Sequence, residues 1–419
     1  MGINIDIRDS QGWTLLMWAA NNGHSKVVEL LLNGGARIND STEKKSDSSG
    51  WTPLMLAAGG GHIEAVNTLI KKGSDLEAQD NDNWTALTWA SMNGYHNIVG
   101  MLANNGARID VRSSDGATPL IWAASQGHEN VVQTLLAKGS NIKLKDLHGK
   151  NALAHAILNG HLTTAKNLIK QGADLNQSLL YASQRGYNEM VLFLLAENAE
   201  IDHLSSQKET PLALALQGKH FDTVSILLEH GADPTIKNSQ GQTPLMIAVM
   251  TGELKLVKLL IPHPTYIRQN AEMNTTDFIG NTPLMISAVH GYLDIVKQLL
   301  KLGARVDNRN RWKESALILA ASRGFREIVE LLIEYGADFR SEDVNEKTAL
   351  MRAAQNGQLF VVELLLSMGA NLHLNAFDMS GEGGTPLIQT ARNGHDEVLI
   401  SLLRSDAEID DVELMFNHS

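Results

Sequence analysis

Short apolar runs alternate with polar turns along this chain at a nearly fixed beat. Each beat opens on a block such as Trp13-Thr14-Leu15-Leu16, Trp51-Thr52-Pro53-Leu54, Trp84-Thr85-Ala86-Leu87 or Ala117-Thr118-Pro119-Leu120. A threonine followed by proline and leucine predicts a helix start, because the hydroxyl caps a free N–H and proline suits the first helical position. Small residues follow (Ala19-Ala20, Ala57-Ala58, Ala123-Ala124), allowing helices to approach closely. A Gly-His step then turns the chain at Gly23-His24, Gly61-His62, Gly127-His128, Gly160-His161 and Gly394-His395. The next segment carries an apolar stripe at helical spacing, as in Val27, Val28, Leu30 and Leu31. It stops at a glycine suited to a left-handed cap, the first being Gly35, Gly73 and Gly106. The polar stretch after it, for example 75–83, predicts a turn into the next beat.

The opening block returns at Asn151, Gln177, Thr210, Thr243, Thr282, Ser315, Thr348 and Thr385, and seven of the eleven intervals are 33 residues. Self-similarity at that period is the signature of a solenoid. The unit resembles the ankyrin repeat, whose pattern reads D-x-x-G-x-T-P-L-H-x-A-A-x-x-G-H, over roughly residues 3–405. The resemblance implies an all-α ankyrin-repeat solenoid of about twelve stacked helix–turn–helix units with hairpin fingers at one edge. It also implies that a partner meets the concave side, made of finger tips and the solvent face of the inner helices. One departure stands out. The slot where the family carries His after Thr-Pro-Leu holds Met17, Met55, Thr88, Ile121, Met246, Met285, Ile318 and Met351, so apolar packing is expected to replace a polar inner-helix network.

Four intervals break the beat. Extra residues fall within 40–47 and within the Gly-rich stretch 375–384, and seven residues are missing between Asn151 and Gln177, which predicts a truncated finger. The eighth repeat has Pro262-His263-Pro264 where its cap glycine belongs. These sites are either drift in surface loops or, near 171–178 and 262–280, bends that divide the array and where unfolding begins. The acidic stretch 406–419 follows as a terminal cap or tail. It is also similar to the acidic C-terminal signals of bacterial type IV secretion substrates, which would make the chain a translocated effector that engages host proteins.

Composition narrows the function classes. The 419 residues carry 47 acidic against 35 basic side chains, a formal charge of −12, and no cysteine. Disulfides and thiolate chemistry are excluded, and an acidic chain is a poor match for a nucleic-acid backbone. Gly2 lacks the Ser or Thr that myristoylation wants, since Asp6 stands there. No N-terminal signal or membrane-length apolar run is evident, so a soluble, cytoplasmic, monomeric protein is expected. His24, His62, His128, His161, His220 and His395 recur one per repeat and cannot converge on a metal. Gly59-Gly60-Gly61 lacks the Lys that follows a phosphate loop. The expectation is therefore no enzyme, no cofactor and no metal, with a protein partner.

The partner site is expected at concave aromatics. Trp18, Trp89 and Trp122 occupy a normally apolar inner-helix slot and are read as core. Trp13, Trp51, Trp84 and Trp312 fall at finger positions facing solvent or a partner. Trp13, Trp51 and Trp84, with Met92 and Asn93 beside them, make an aromatic anchor site, the other possibility being rings that only stiffen the stack. A second candidate patch is Phe278, Ile279, Arg311 and Trp312. The alternative function is a small-molecule or nucleotide sensor, in which tryptophans stack on a planar ligand and Lys44 and Lys45 supply the nearby charge.

Overall fold

The computed structural model describes residues 4–42, 50–261, 272–371 and 384–405. Each beat of the sequence becomes an antiparallel pair of short helices. The inner helices run from Leu15–Asn21, Pro53–Gly59, Ala86–Met92 and Pro119–Ser125 through to Pro386–Asn393, and the outer ones from Ser25–Asn33 through to 396–405. Nearly every inner helix starts the way its sequence predicts. In repeats one to four the cap hydroxyls of Thr14, Thr52, Thr85 and Thr118 accept the N–H of Met17, Met55, Thr88 and Ile121. Such a cap is worth about 1 kcal/mol.

The chain forms two compact units, residues 1–200 and 201–419. Within each, an inner helix packs on the inner helices of adjacent repeats and on its own outer helix. Among the described residues there is no strand, only the isolated bridges Arg8–Thr14 and Lys145–Asn151. The cores are continuous stripes. Leu69, Leu102, Leu135 and Leu168, one per outer helix, are fully buried, each contributing roughly 1.5–3 kcal/mol. Met17, Met55, Met246, Met285 and Met351 are equally buried, so apolar packing fills the slot where the family's histidine would stand.

Fingers link by backbone hydrogen bonds from one repeat to the next. Ser114 N–H donates to Asp82 O and Leu147 N–H to Asp115 O in the first unit; Phe278 N–H donates to Gln240 O, Arg311 N–H to Ile279 O and Val344 N–H to Trp312 O in the second. The sixth repeat breaks this pattern as the missing residues require. Asp174 caps directly onto Asn176, and an eleven-residue inner helix, Leu175–Arg185, takes the place of a finger. Residues 43–47 of the extension expected within 40–47, with Lys44 and Lys45, the Pro262-His263-Pro264 segment, most of the Gly-rich loop and the acidic tail lie outside the described residues.

The His of the Gly-His step does more than turn its own repeat. Nε2 of His62, His128, His161 and His395 reaches back to the carbonyls of Asn21, Met92, Ser125 and Gln355 in the preceding inner helix, at 2.8–3.0 Å. Tyr95, Tyr187, Tyr292 and Phe325 occupy the same slot in other repeats. Each satisfied bond of this kind contributes about 1 kcal/mol.

Candidate functional site

The tryptophans of repeats one to four depart from expectation. Trp18, Trp89 and Trp122 are not core. Trp18 is 42% exposed and the other two are half-buried. Their slot follows the cap threonine by four residues and faces away from the buried side formed by Leu16, Met17, Ala19 and Ala20. Leu56, Leu214, Ile247 and Ile286 fit the same slot under neighbouring side chains and are buried. An indole is too large for that cover and projects into the groove between inner helices and fingers.

There it meets the finger tryptophans. Ring centroids are 4.7 Å apart for Trp13–Trp18, 6.4 Å for Trp13–Trp51, 5.6 Å for Trp51–Trp89, 4.8 Å for Trp84–Trp89 and 4.7 Å for Trp84–Trp122. The two sets separated by sequence position thus form one unbroken wall of indoles. Trp13, Trp51 and Trp84 are half-buried by it rather than free in solvent.

A finger group fixes each inner-helix indole. Trp18 Nε1 donates to Asp9 Oδ2 at 2.8 Å, Trp89 Nε1 to Asp80 Oδ2 at 2.9 Å and Trp122 Nε1 to Ser113 Oγ at 3.4 Å, all across nine residues. The same nine-residue link recurs with other donors. His155 Nε2 bonds Asp146 Oδ2 at 2.7 Å and Arg352 Nε donates to Asp343 Oδ2 at 2.6 Å. The Asp carboxylates also accept backbone N–H groups two and four residues on, as Asp80 does from Asp82 and Trp84. The N–H of Trp13 and the indole of Trp18, with further backbone donors, hold the Asp9 carboxyl below its ordinary value.

A pocket of about 190 Å³ opens in this wall. Trp51 and Trp89, at 84° to one another, line it together with Met55, Leu56, Gly59, Gly60, Asn21 and Asn93. Asn93 Nδ2 donates to Gly59 O at 2.9 Å, joining two of the lining residues across adjacent repeats. Of the predicted anchor residues, Trp51 and Asn93 line this pocket. Trp13 touches Trp51, Trp84 touches Trp89, and Met92 is absent from the lining, its carbonyl taken by His128.

The second predicted patch is also at the surface. Phe278 is 73% exposed, Trp312 45% and Ile279 37%. Phe278 lies over Gly241, where a Cβ would come within 2.6 Å of its ring. Arg311 and Ile279 are joined through their backbones at adjacent finger tips.

Models of ankyrin repeats in sets of three copies match residues 40–113, 107–178, 179–277, 232–310, 265–343, 284–378 and 341–413, and a single ankyrin repeat matches 11–43. The chain belongs to the ankyrin repeat family. This ankyrin repeat chain is also 51% identical over 45 residues to calmodulin-binding transcription activator 6 and 54% over 41 residues to calmodulin-binding transcription activator 5, both of Arabidopsis thaliana. Each match covers 10% of this chain and only 5% and 4% of the relatives' own lengths, so the likeness is one of a repeat or so. Ankyrin repeats are in general protein-interaction modules. No helix among the described residues is long and apolar enough to cross a membrane.

Proposed function

We propose that this ankyrin repeat protein is a non-catalytic interaction scaffold whose partner docks on the tryptophan groove of repeats one to four. The observation that carries this reading is the Trp51–Trp89 pocket in a wall of six indoles. Indoles are enriched at binding hot spots because they bury large area at low entropic cost. The inter-repeat ring contacts also stiffen the stack. Stiffening alone does not account for two glycines and two asparagines leaving an open, partly apolar cleft beside the rings.

The double variant Trp13→Ala/Trp51→Ala in the full chain tests the proposal. It is expected to lose partner capture from a cell lysate at least tenfold, with the far-ultraviolet helix signal retained. Capture that persists with intact helicity would transfer the function to the Phe278, Ile279, Arg311 and Trp312 finger tips, whose exposure makes them the second candidate. A nucleotide-sensing role draws less support. No basic side chain lines the indole pocket, and Lys44 and Lys45 lie outside the described residues.

A further inference from the structure

The chemistry of the indole corner specifies more than a surface for docking. Resting on the reading of this groove as a docking face, we propose that the Trp51–Trp89 pocket takes the guanidinium of an arginine carried on an extended basic segment of a partner protein.

The first support is electronic. Trp89 gives its Nε1–H to Asp80 Oδ2, and the remaining hydrogen-bond donors to that carboxylate are the backbone N–H groups of Asp82 and Trp84. Asp80 is only 7% exposed, and all of these donors are uncharged. An anion seated on an indole N–H pushes electron density into the ring and strengthens the attraction of its face for a cation. Trp18 and Asp9 repeat the arrangement at the end of the wall.

The second support is the charge around the pocket. The lining itself is uncharged, and the fingers that border the indoles bring Asp9, Asp80, Asp82 and Asp115. Among the described residues of these fingers, the two arginines are already engaged. Arg8 pairs with Asp40 at 2.8 Å and donates to the carbonyls of Gly12 and Ser41, while Arg112 donates to the carbonyls of Gly116 and Lys145. An incoming cation therefore meets negative charge without a resident competitor in the lining.

Shape selects among cations. A guanidinium is flat and weakly hydrated, so it can lie on one indole while its edge reaches the amides of Asn21 and Asn93; a lysine ammonium is compact and gives up more hydration on entering.

The test uses tryptophan fluorescence and calorimetry on the full chain at physiological ionic strength. The probes are equal-length synthetic peptides alternating glycine with arginine, lysine or citrulline, together with a proline-rich peptide. The arginine peptide should shift the emission and bind at least tenfold more tightly than the citrulline peptide, which keeps the shape and loses the charge. Gly59→Leu should cut arginine-peptide affinity tenfold or more without loss of helicity. Gly59 is helical, and a Cβ there makes only ordinary contacts, 3.7 Å from Trp89 and Asn93, so the larger side chain enters the pocket rather than the core. Asp80→Asn keeps an acceptor for the indole and should weaken the arginine peptide while leaving the citrulline peptide unchanged. Equal binding of the citrulline or lysine peptide, or tighter binding of the proline-rich one, would overturn the guanidinium assignment and leave the docking face standing. Undiminished arginine binding by Gly59→Leu would show that the peptide sits elsewhere and overturn the pocket. Failure of the docking face itself would appear separately, as unchanged capture by Trp13→Ala/Trp51→Ala.

Discussion

Gly127 shows how much of this array rests on single atoms. Its φ of +76° lies in the left-handed region, and a Cβ on it would come within 2.5 Å of His161 Nδ1 in the next repeat. The absence of a side chain lets that imidazole reach Ser125 O. Gly127→Ala is expected to destabilise the protein by about 1–3 kcal/mol, from backbone strain and the displaced ring, read as a lower urea midpoint with unchanged native helicity. The Gly-His pair was visible in the sequence as a turn. Its partner was not, because the acceptor stands a full repeat away and Tyr95, Tyr187, Tyr292 and Phe325 fill the slot without matching the motif. The tryptophans were misplaced for a related reason. Leucine and tryptophan share a slot in the register, and only ring size decides that Leu56 is covered while Trp18 protrudes.

At the scale of the element, the link of nine residues between finger and inner helix is the joint that sets the groove. Asp9/Trp18, Asp80/Trp89, Ser113/Trp122, Asp146/His155 and Asp343/Arg352 all use it. These spacings stand in the sequence, yet the donors are an indole, an imidazole and a guanidinium, so no residue-type pattern exposes them. The link is acid-sensitive at Asp146. Burial pushes its carboxyl up, but the His155 hydrogen bond, the N–H groups of Lys150 and His148 and the His155 charge outweigh that and hold it below its ordinary 3.8. A depressed carboxyl contributes stability above its unfolded value, and the contribution is lost as pH falls through the folded one. Asp146→Asn should therefore lower Tm at pH 7, with the gap to the wild type narrowing as pH drops below 3.8. A gap independent of pH would assign the loss to packing.

For the whole molecule, the ankyrin-repeat solenoid was legible from its period alone, because seven identical intervals require one structural unit repeated. What the period could not convey is where the array is weakest. We propose that it opens first at the sixth repeat, which has no finger, keeps the buried Ser183 Oγ without a hydrogen-bond partner and packs beside a fifth-repeat outer helix whose buried Asn167 Nδ2 is also unpaired. Since repeats are stabilised only by their neighbours, amides of Leu175–Arg185 and Asn188–Ala196 should exchange with deuterium at least tenfold faster than those of Ile63–Lys71 in the same unit. Uniform protection across residues 50–200 would remove the weak link.

The indole wall also has an optical consequence. Successive rings stand 4.7–6.4 Å apart, well inside the range over which identical chromophores exchange excitation. Light absorbed by any one of the six is shared along the row before it is emitted, so their fluorescence is depolarised and belongs to the row rather than to a residue. A side chain that quenches only Trp89 would darken Trp18 and Trp122 as well, and the protein carries, without a label, an antenna that reports a single event at one corner.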